Sequence, residues 1–488
     1  MKRTAPILLF VLLAACLTSA YAADNAPDIL FDAIPRQTLD AMDRRELGTL
    51  YTPAIADKLY DAHQLLEKYF AAEKAPDRKA IVTQLAALNL DPNILGRLAR
   101  IRLYWPQLQP GVYFVNERMG PHPVLYFVGL PDAYDRSKPY PLVIKLPGAH
   151  PFVTNPPPTP EQVQALYTGW IQDELKAHPD AVVLMPLLNL NELWGPSYKG
   201  VHSVMQSLFH VVGRVNIDPA KVYLTGHAMS AHATWNLAIH YPTFFSAINP
   251  LSGSASLPWQ RLRLINLRNV PAIVWHDADD KIVPVAASRD LVKILKQYKF
   301  DVDYQETQGV GHAPSDEILK TQYAKLRSRV RNLYPKQVSL ASNRPDTLLN
   351  RNDWVQVYQM LEPGKEKKAI VKQSRSTITL QENSYELTAS FTAPNRIEVK
   401  CRNVESMRFL LNDQMINFSQ PVTVLVNGVV RFQGMLTPNL NDMLNDQLFL
   451  GRGWRYYTAA VDVDFGALSS RPTTRPTTRR GTIEYTPK

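Results

Sequence analysis

Val222-Tyr223-Leu224-Thr225-Gly226-His227-Ala228-Met229-Ser230-Ala231-His232 is the stretch on which the fold turns. Val222 to Thr225 are apolar or β-branched, as a buried strand requires, and Gly226 ends the run. Beyond it Trp235, Leu237 and Ile239 continue a helix until Pro242, whose ring and missing N–H forbid more. A strand therefore enters a tight turn and leaves it as a helix. Gly226 lets the two approach, and Ala228 is the middle residue of the turn.

Short β-rich runs also cover Val124 to Gly129, Leu142 to Leu146, Ala181 to Met185 and Ala272 to Trp275. Helical stretches lie between them at Glu161 to Lys176, Ser203 to Val212 and Ala286 to Tyr298. Strands apolar on both faces that alternate with helices imply an α/β architecture, a mostly parallel, doubly wound sheet with helices on either side. Function in such sheets collects at the carboxyl ends of the strands, which directs attention to the loops after Leu146, Thr225 and Trp275.

Each of those loops has a distinctive composition. Trp275-His276-Asp277-Ala278-Asp279-Asp280-Lys281-Ile282-Val283-Pro284 follows one strand, and Gly309-Val310-Gly311-His312 follows the next. Lys145-Leu146-Pro147-Gly148-Ala149-His150 closes an earlier one. Together with the turn at 226–229, these segments resemble the α/β-hydrolase superfamily, particularly the polyhydroxyalkanoate-depolymerase-like and prolyl-oligopeptidase-like serine esterases. The resemblance covers roughly residues 112–334. It implies an α/β-hydrolase fold and the chain order nucleophile, acid, base. Asp280 would be the acid, His312 the general base, and the amides of Met229 and Ala149 the oxyanion hole. Pro147 replaces a histidine that family members commonly carry in the first of these loops. In register with Gly-x-Ser-x-Gly, Ala228 stands at the serine and Ser230 at the second glycine.

A methyl group has no lone pair to attack a carbonyl. Losing a triad nucleophile costs on the order of a millionfold in turnover, about 8 kcal/mol. Three readings stay open. The chain binds an ester, peptide or polymer ligand in the old cleft, with Asp280 and His312 surviving as a hydrogen-bonded pair. Alternatively it hydrolyses by another route, with Ser230 as a displaced nucleophile or His312 activating water; or the alanine is a substitution in an otherwise active lineage. His150, Trp194, Tyr198 and His227 are the candidates for ligand contact, and Trp235 is core or cleft wall. Metal and cofactor are not expected. His227 and His232 at a helix start are hydrogen-bonding residues first, and His276 with Asp277, Asp279 and Asp280 reads as a solvated acidic loop. Residues 152–160, ending in Asn155-Pro156-Pro157-Pro158 and Pro160, lead into a helix and are also the place for a lid.

The rest of the 488 residues brackets this unit. Lys2 and Arg3 precede an apolar run from Ala5 to Leu17, too short to span a bilayer, which reads as a secretory signal over residues 1–22. Ala20-Tyr21-Ala22 offers a cleavage site, and Leu13-Ala14-Ala15-Cys16 offers the other outcome, a lipidated Cys16. With Cys16 in the signal, Cys401 is left alone, which excludes a disulfide framework and a cysteine-rich zinc site. Residues 23–110 read as a helical segment packed on the next unit, from Ile55, Leu59, Ala62, Leu65, Leu66 and Tyr69 and then Ile81, Val82, Leu85 and Leu88.

Residues 111–335 form the α/β unit, and 336–466 a β-rich, sandwich-like one with strands at Thr377 to Leu380, Ile397 to Cys401, Met407 to Leu411 and Val422 to Val426. Asn427-Gly428 between two Val-rich runs marks a two-residue hairpin. Residues 467–488 repeat Arg-Pro-Thr-Thr and read as a disordered basic tail, either plainly solvated or touching an anionic envelope polymer. The net charge of +10 resides largely there and in the signal, and no aromatic-basic motif accompanies it, so nucleic acid is not the expected partner. Oligomeric state is left open.

Overall fold

The structure, a computed structural model, describes residues 31–119, 122–148, 160–187, 198–344, 349–371 and 376–465. The signal with Cys16, the basic tail, and the lid candidate up to residue 159 lie outside the described residues. No helix among the described residues is long and apolar enough to cross a membrane.

Among the described residues, four α-helices come ahead of the central sheet: α1 (Arg36–Leu47), α2 (Ala56–Ala71), α3 (Ala75–Ala87) and α4 (Pro92–Leu98). Two short strands, β1 (Phe31–Ala33) and β2 (Tyr104–Pro106), pair antiparallel around them. The apolar stripe read from the sequence, Leu59, Ala62, Leu66, Tyr69 and Leu85, is buried. The segment touches the next unit where Arg136 pairs with Asp32 at 3.3 Å and donates to Trp105 O at 3.2 Å. The stripe packs on Met443, Leu444 and Tyr456, from the far end of the chain. Arg452 fastens this contact, donating to the carbonyls of Ala99 and Ile101 at 2.8 Å each and pairing with Glu67 at 2.8 Å. Nothing in the local sequence of the helices could indicate a partner so distant along the chain.

The central sheet has eight strands. They are β3 (Gly111–Met119), β4 (His122–Leu130), β5 (Tyr140–Leu146), β6 (Val182–Pro186), β7 (Ile217–His227), β8 (Ala247–Leu251), β9 (Ala272–Asp277) and β10 (Val302–Thr307). Their spatial order is β10-β9-β8-β7-β5-β6-β4-β3, with β4 antiparallel to its neighbours and the strands from β6 across to β10 parallel. This is an α/β-hydrolase sheet.

The inner strands β5, β6, β8 and β9 are buried on both faces, as their apolar runs require. Leu142 and Ile144 join Val204, Leu208 and Trp235 in one core, while Val143, between them, joins Tyr223, Ile273 and Leu326 in another. Helices α6 (Tyr198–Val212), α7 (Met229–His240) and α9 (Val285–Gln297) therefore cover one face, and α5 (Pro160–Ala177) and α10 (Asp316–Arg327) the other, while a short α8 (Pro258–Leu262) lies between α7 and α9 in the chain.

The β-rich unit is a sandwich. A five-stranded sheet comprises β11 (Gln337–Ser342), β16 (Tyr385–Ala393), β17 (Arg396–Arg402), β19 (Val422–Val426) and β20 (Val429–Gly434). A four-stranded sheet comprises β12 (Arg351–Asn352), β13 (Val355–Gln359), β18 (Ser406–Leu411) and β21 (Ala459–Asp464). A separate hairpin joins β14 (Glu366–Val371) and β15 (Ser376–Gln381), and helix α11 (Leu440–Leu450) precedes β21. Leu340, Leu387, Ile397 and Val424 of one sheet meet Val355, Met407, Phe409 and Val461 of the other. Cys401 is a free, half-buried thiol, and burial pushes its pKa up.

Candidate active site

At the end of β7 the chain does what the sequence implies. Gly226 has no side chain because none fits: a Cβ there would lie 2.5 Å from the carbonyl oxygen of Ser230 and 2.8 Å from Thr234 Oγ1 on α7. Ala228 sits at φ 56, ψ −117, a conformation that costs a non-glycine residue roughly 1–3 kcal/mol and persists only where the surroundings impose it. They do so here. Its N–H donates to Leu251 O at the end of β8 (2.9 Å), and its carbonyl accepts from Ala231 N (3.0 Å) as α7 begins. Gly253 lies beside it, with an ideal Cβ position 2.8 Å from Ala228 O and 2.6 Å from Ala231 Cβ.

Two further loops converge on this turn. His312 Nδ1 donates to Asp280 Oδ2 at 2.8 Å, the acid being fully buried and the ring 18% exposed. Asp280 Oδ1 accepts from the amides of Ile282 (2.8 Å) and Val283 (3.0 Å). Burial alone would raise the pKa of Asp280, but the hydrogen bonds from His312 and from the two amides outweigh it and hold the carboxyl below its ordinary value.

The backbone carbonyl of His312 is fixed as well. His227 Nε2 donates to it at 2.8 Å and Ser252 Oγ at 3.0 Å. The His227 and His312 rings lie 4.8 Å apart, so His312 is anchored to the residue immediately before Ala228. Burial depresses the pKa of His227, favouring the neutral imidazole whose one N–H makes this bond.

The other sequence candidates are distributed as follows. Met229 opens α7, so its amide is among the first-turn N–H groups that lack an intrahelical acceptor. Ser230 is fully buried, and its hydroxyl donates to the carbonyl of Pro147. Ala149, His150 and Trp194 lie outside the described residues; Tyr198 begins α6, with only its backbone described. Trp235 is core, its Nε1 donating to Gly253 O at 3.1 Å. His232 is held on the carbonyl of Ser254.

The acidic loop after β9 is less solvated than its composition suggests. Asp277 is buried and accepts from Thr307 Oγ1 (2.8 Å) and the amides of Asp279 (2.9 Å) and Val310 (3.1 Å), while Asp279 accepts from Gly309 N (2.9 Å). The two carboxylates tie the acid loop to the histidine loop. Among the described residues no group of three or more histidine, cysteine or acidic side chains is disposed to hold a metal.

Sequence reading missed the part played by Ser252 and His276. Neither belongs to a motif that names its partner. The arrangement as a whole can orient an imidazole, stabilise positive charge on it, and offer first-turn amides to an oxygen. It has no hydroxyl or thiol at the turn itself.

No protein-family model matches the chain, and no curated protein does. Among solved structures, a thermostable esterase is 22% identical over 45% of this chain and 63% of its own, with a TM-score of 0.38, so the chain spans less than two thirds of that protein. A CE1 ferulic acid esterase from the anaerobic fungus Anaeromyces mucronatus is 11% identical over 45% of this chain and 89% of its own, with a TM-score of 0.33. Esterase PE8 is 19% identical over 41% of this chain and 96% of its own, with a TM-score of 0.30.

Proposed function

We propose that the chain binds an ester-, peptide- or acyl-bearing ligand in a cleft of serine-hydrolase type, and that its own hydrolysis of such bonds is absent or strongly impaired. The observation that carries the reading is a single juxtaposition: Ala228 keeps the strained turn while His312 remains anchored beside it and hydrogen-bonded to Asp280. In the serine form of this geometry, the imidazole takes the hydroxyl proton as oxygen attacks the carbonyl, and the carboxylate steadies the imidazolium. With a methyl group at 228 only the binding half of that chemistry is left.

Ser230 is a poor substitute, because its buried hydroxyl is already committed to Pro147 O and the helix start directs it away from the turn. Descent from esterases of the polyhydroxyalkanoate-depolymerase-like or prolyl-oligopeptidase-like kind is part of this reading. So is export, with the ligand outside the cytoplasm and the basic charge of residues 467–488 as the contact to an anionic envelope polymer.

Labelling with a fluorophosphonate tests it. The natural chain is expected to stay unlabelled, Ala228→Ser to be labelled at the new serine, and Ala228→Ser with His312→Gln to lose the label again. Labelling of the natural chain at Ser230 would overturn the proposal, as would an Ala228→Ser chain that folds and does not react.

A further inference from the structure

The carboxylate of Asp280 is shared by two imidazoles. Besides His312 Nδ1 at 2.8 Å, Oδ2 receives His276 Nε2 at 3.1 Å. With the two amides on Oδ1, the acid accepts four hydrogen bonds, so turning it about its own axis would break all of them. His276 is fully buried at the end of β9. Its Nε2 faces two acceptors, Asp280 Oδ2 and Val283 O (2.9 Å), and must therefore carry hydrogen. That leaves Nδ1 to accept from Ser288 Oγ at 2.7 Å. Ser288 is buried on α9, and its only other polar neighbour among the described residues is Gly253 O at 3.3 Å.

A chain of side chains thus runs from the helix through Ser288, His276 and Asp280 to His312. It requires a group that donates at one end and accepts at the other, which an imidazole does and an apolar side chain of similar bulk does not. Packing alone would be served by phenylalanine.

We infer that His276 is a positioning residue, the second imidazole on Asp280, which holds that carboxylate in the orientation His312 uses. The inference rests on reading Asp280 and His312 as acid and base. It goes beyond that reading by assigning the orientation of the acid to a side chain that touches neither the turn at 228 nor a ligand there.

Proton NMR of the full natural chain gives a readout that needs no nucleophile. The Nδ1–H of His312, held on a buried carboxylate, exchanges slowly and resonates far downfield; its signal is assigned by its disappearance in His312→Gln. His276→Phe is expected to shift this signal or broaden it away, and His276→Gln, whose amide supplies a donor, to restore it. In the Ala228→Ser background, the fluorophosphonate labelling rate at saturating probe is expected to fall about tenfold with His276→Phe and to recover with His276→Gln. The concentration giving half that rate should stay unchanged. Ser288→Ala, a smaller alteration of the same chain, is expected to move both readouts in the same direction and serves if His276→Phe does not fold.

An unmoved His312 signal and rate in a folded His276→Phe chain, or in Ser288→Ala in its place, overturns the assignment, and so does a His276→Gln chain no better than His276→Phe. Should Ala228→Ser itself fail to label, the acyl-transfer reading of the cleft falls, while the NMR arm still decides the role of His276.

Discussion

A β-carbon at φ 56, ψ −117 crowds its own backbone, and Ala228 bears that cost without the hydroxyl that makes such a turn useful to a serine enzyme. Glycine would relieve the crowding at a loss of about 0.5–1 kcal/mol in chain entropy. Ala228→Gly is therefore expected to stabilise the protein by about 1 kcal/mol net, read as a raised urea midpoint with unchanged slope. Two residues earlier the sign reverses. Gly226→Ala drives a Cβ into Ser230 O and Thr234 Oγ1, and is expected to cost about 1–3 kcal/mol in the same assay and to abolish labelling of an Ala228→Ser chain. If Gly226→Ala is neutral, strand and helix are not as close as described. Gly226, Ala228, Asp280 and His312 were all legible in the sequence, because each stands in a short segment whose neighbours announce it. The supports of His312 were not: His227 and Ser252 grip its carbonyl from other strand ends, and a backbone acceptor leaves no trace in composition.

Elements were legible to the degree that their own residues dictate them. Asn427 and Gly428 take φ 50 and φ 82, the pair of positive values that a two-residue hairpin with the strands' own twist requires, and β19 and β20 pair across them with Val426 opposite Val429. Gly428→Ala is expected to lower the thermal midpoint by an amount corresponding to about 1 kcal/mol, the cost of forcing a Cβ into that region, without affecting labelling of Ala228→Ser. An effect on labelling would mean that the sandwich communicates with the cleft. The strands read at Val124, Leu142, Ala181, Val222 and Ala272 announced themselves because both of their faces are apolar, whereas β8, interrupted by Asn249 and Pro250, did not. Two strands of the sandwich did not: β16 alternates Tyr385, Leu387 and Ala389 with polar residues and threonines, and β21 is acidic on alternate positions. Helix α11 was missed for another reason. Its buried Met443 and Leu444 face the amino-terminal helices, so its pattern makes sense only once the two ends of the chain are brought together.

At the scale of the molecule the units are fastened by buried arginines. Arg331 grips both oxygens of Asp353 at 2.7 and 2.9 Å and donates to Phe245 O (2.7 Å) and Asn269 O (3.0 Å). Arg455 lies 3.3 Å from the same carboxylate and donates to Thr243 O and Leu333 O, each at 2.8 Å. Sandwich and sheet are joined through charges that neither could leave buried alone, so they should unfold together. Acid is the condition that tests this assembly from within. His178 is fully buried beside the ring of Tyr323, its two ring nitrogens have no hydrogen-bond partner among the described residues, and burial brings its pKa down from 6.5 to about 4 despite the nearby Glu174. His240, buried against Arg263, is depressed as well, by burial first and by that guanidinium second. As pH falls below 6.5 the unfolded chain takes up protons that the folded chain refuses, so stability is lost progressively from about pH 6.5 toward 4. His178→Phe keeps the ring contact and removes that titration. Urea midpoints across the interval are expected to fall less steeply for the variant, by at most about 1.4 kcal/mol per pH unit for the one proton removed, with little change above pH 7. Parallel curves for the two proteins would mean that His178 is protonated in the fold, paired with Glu174 after all.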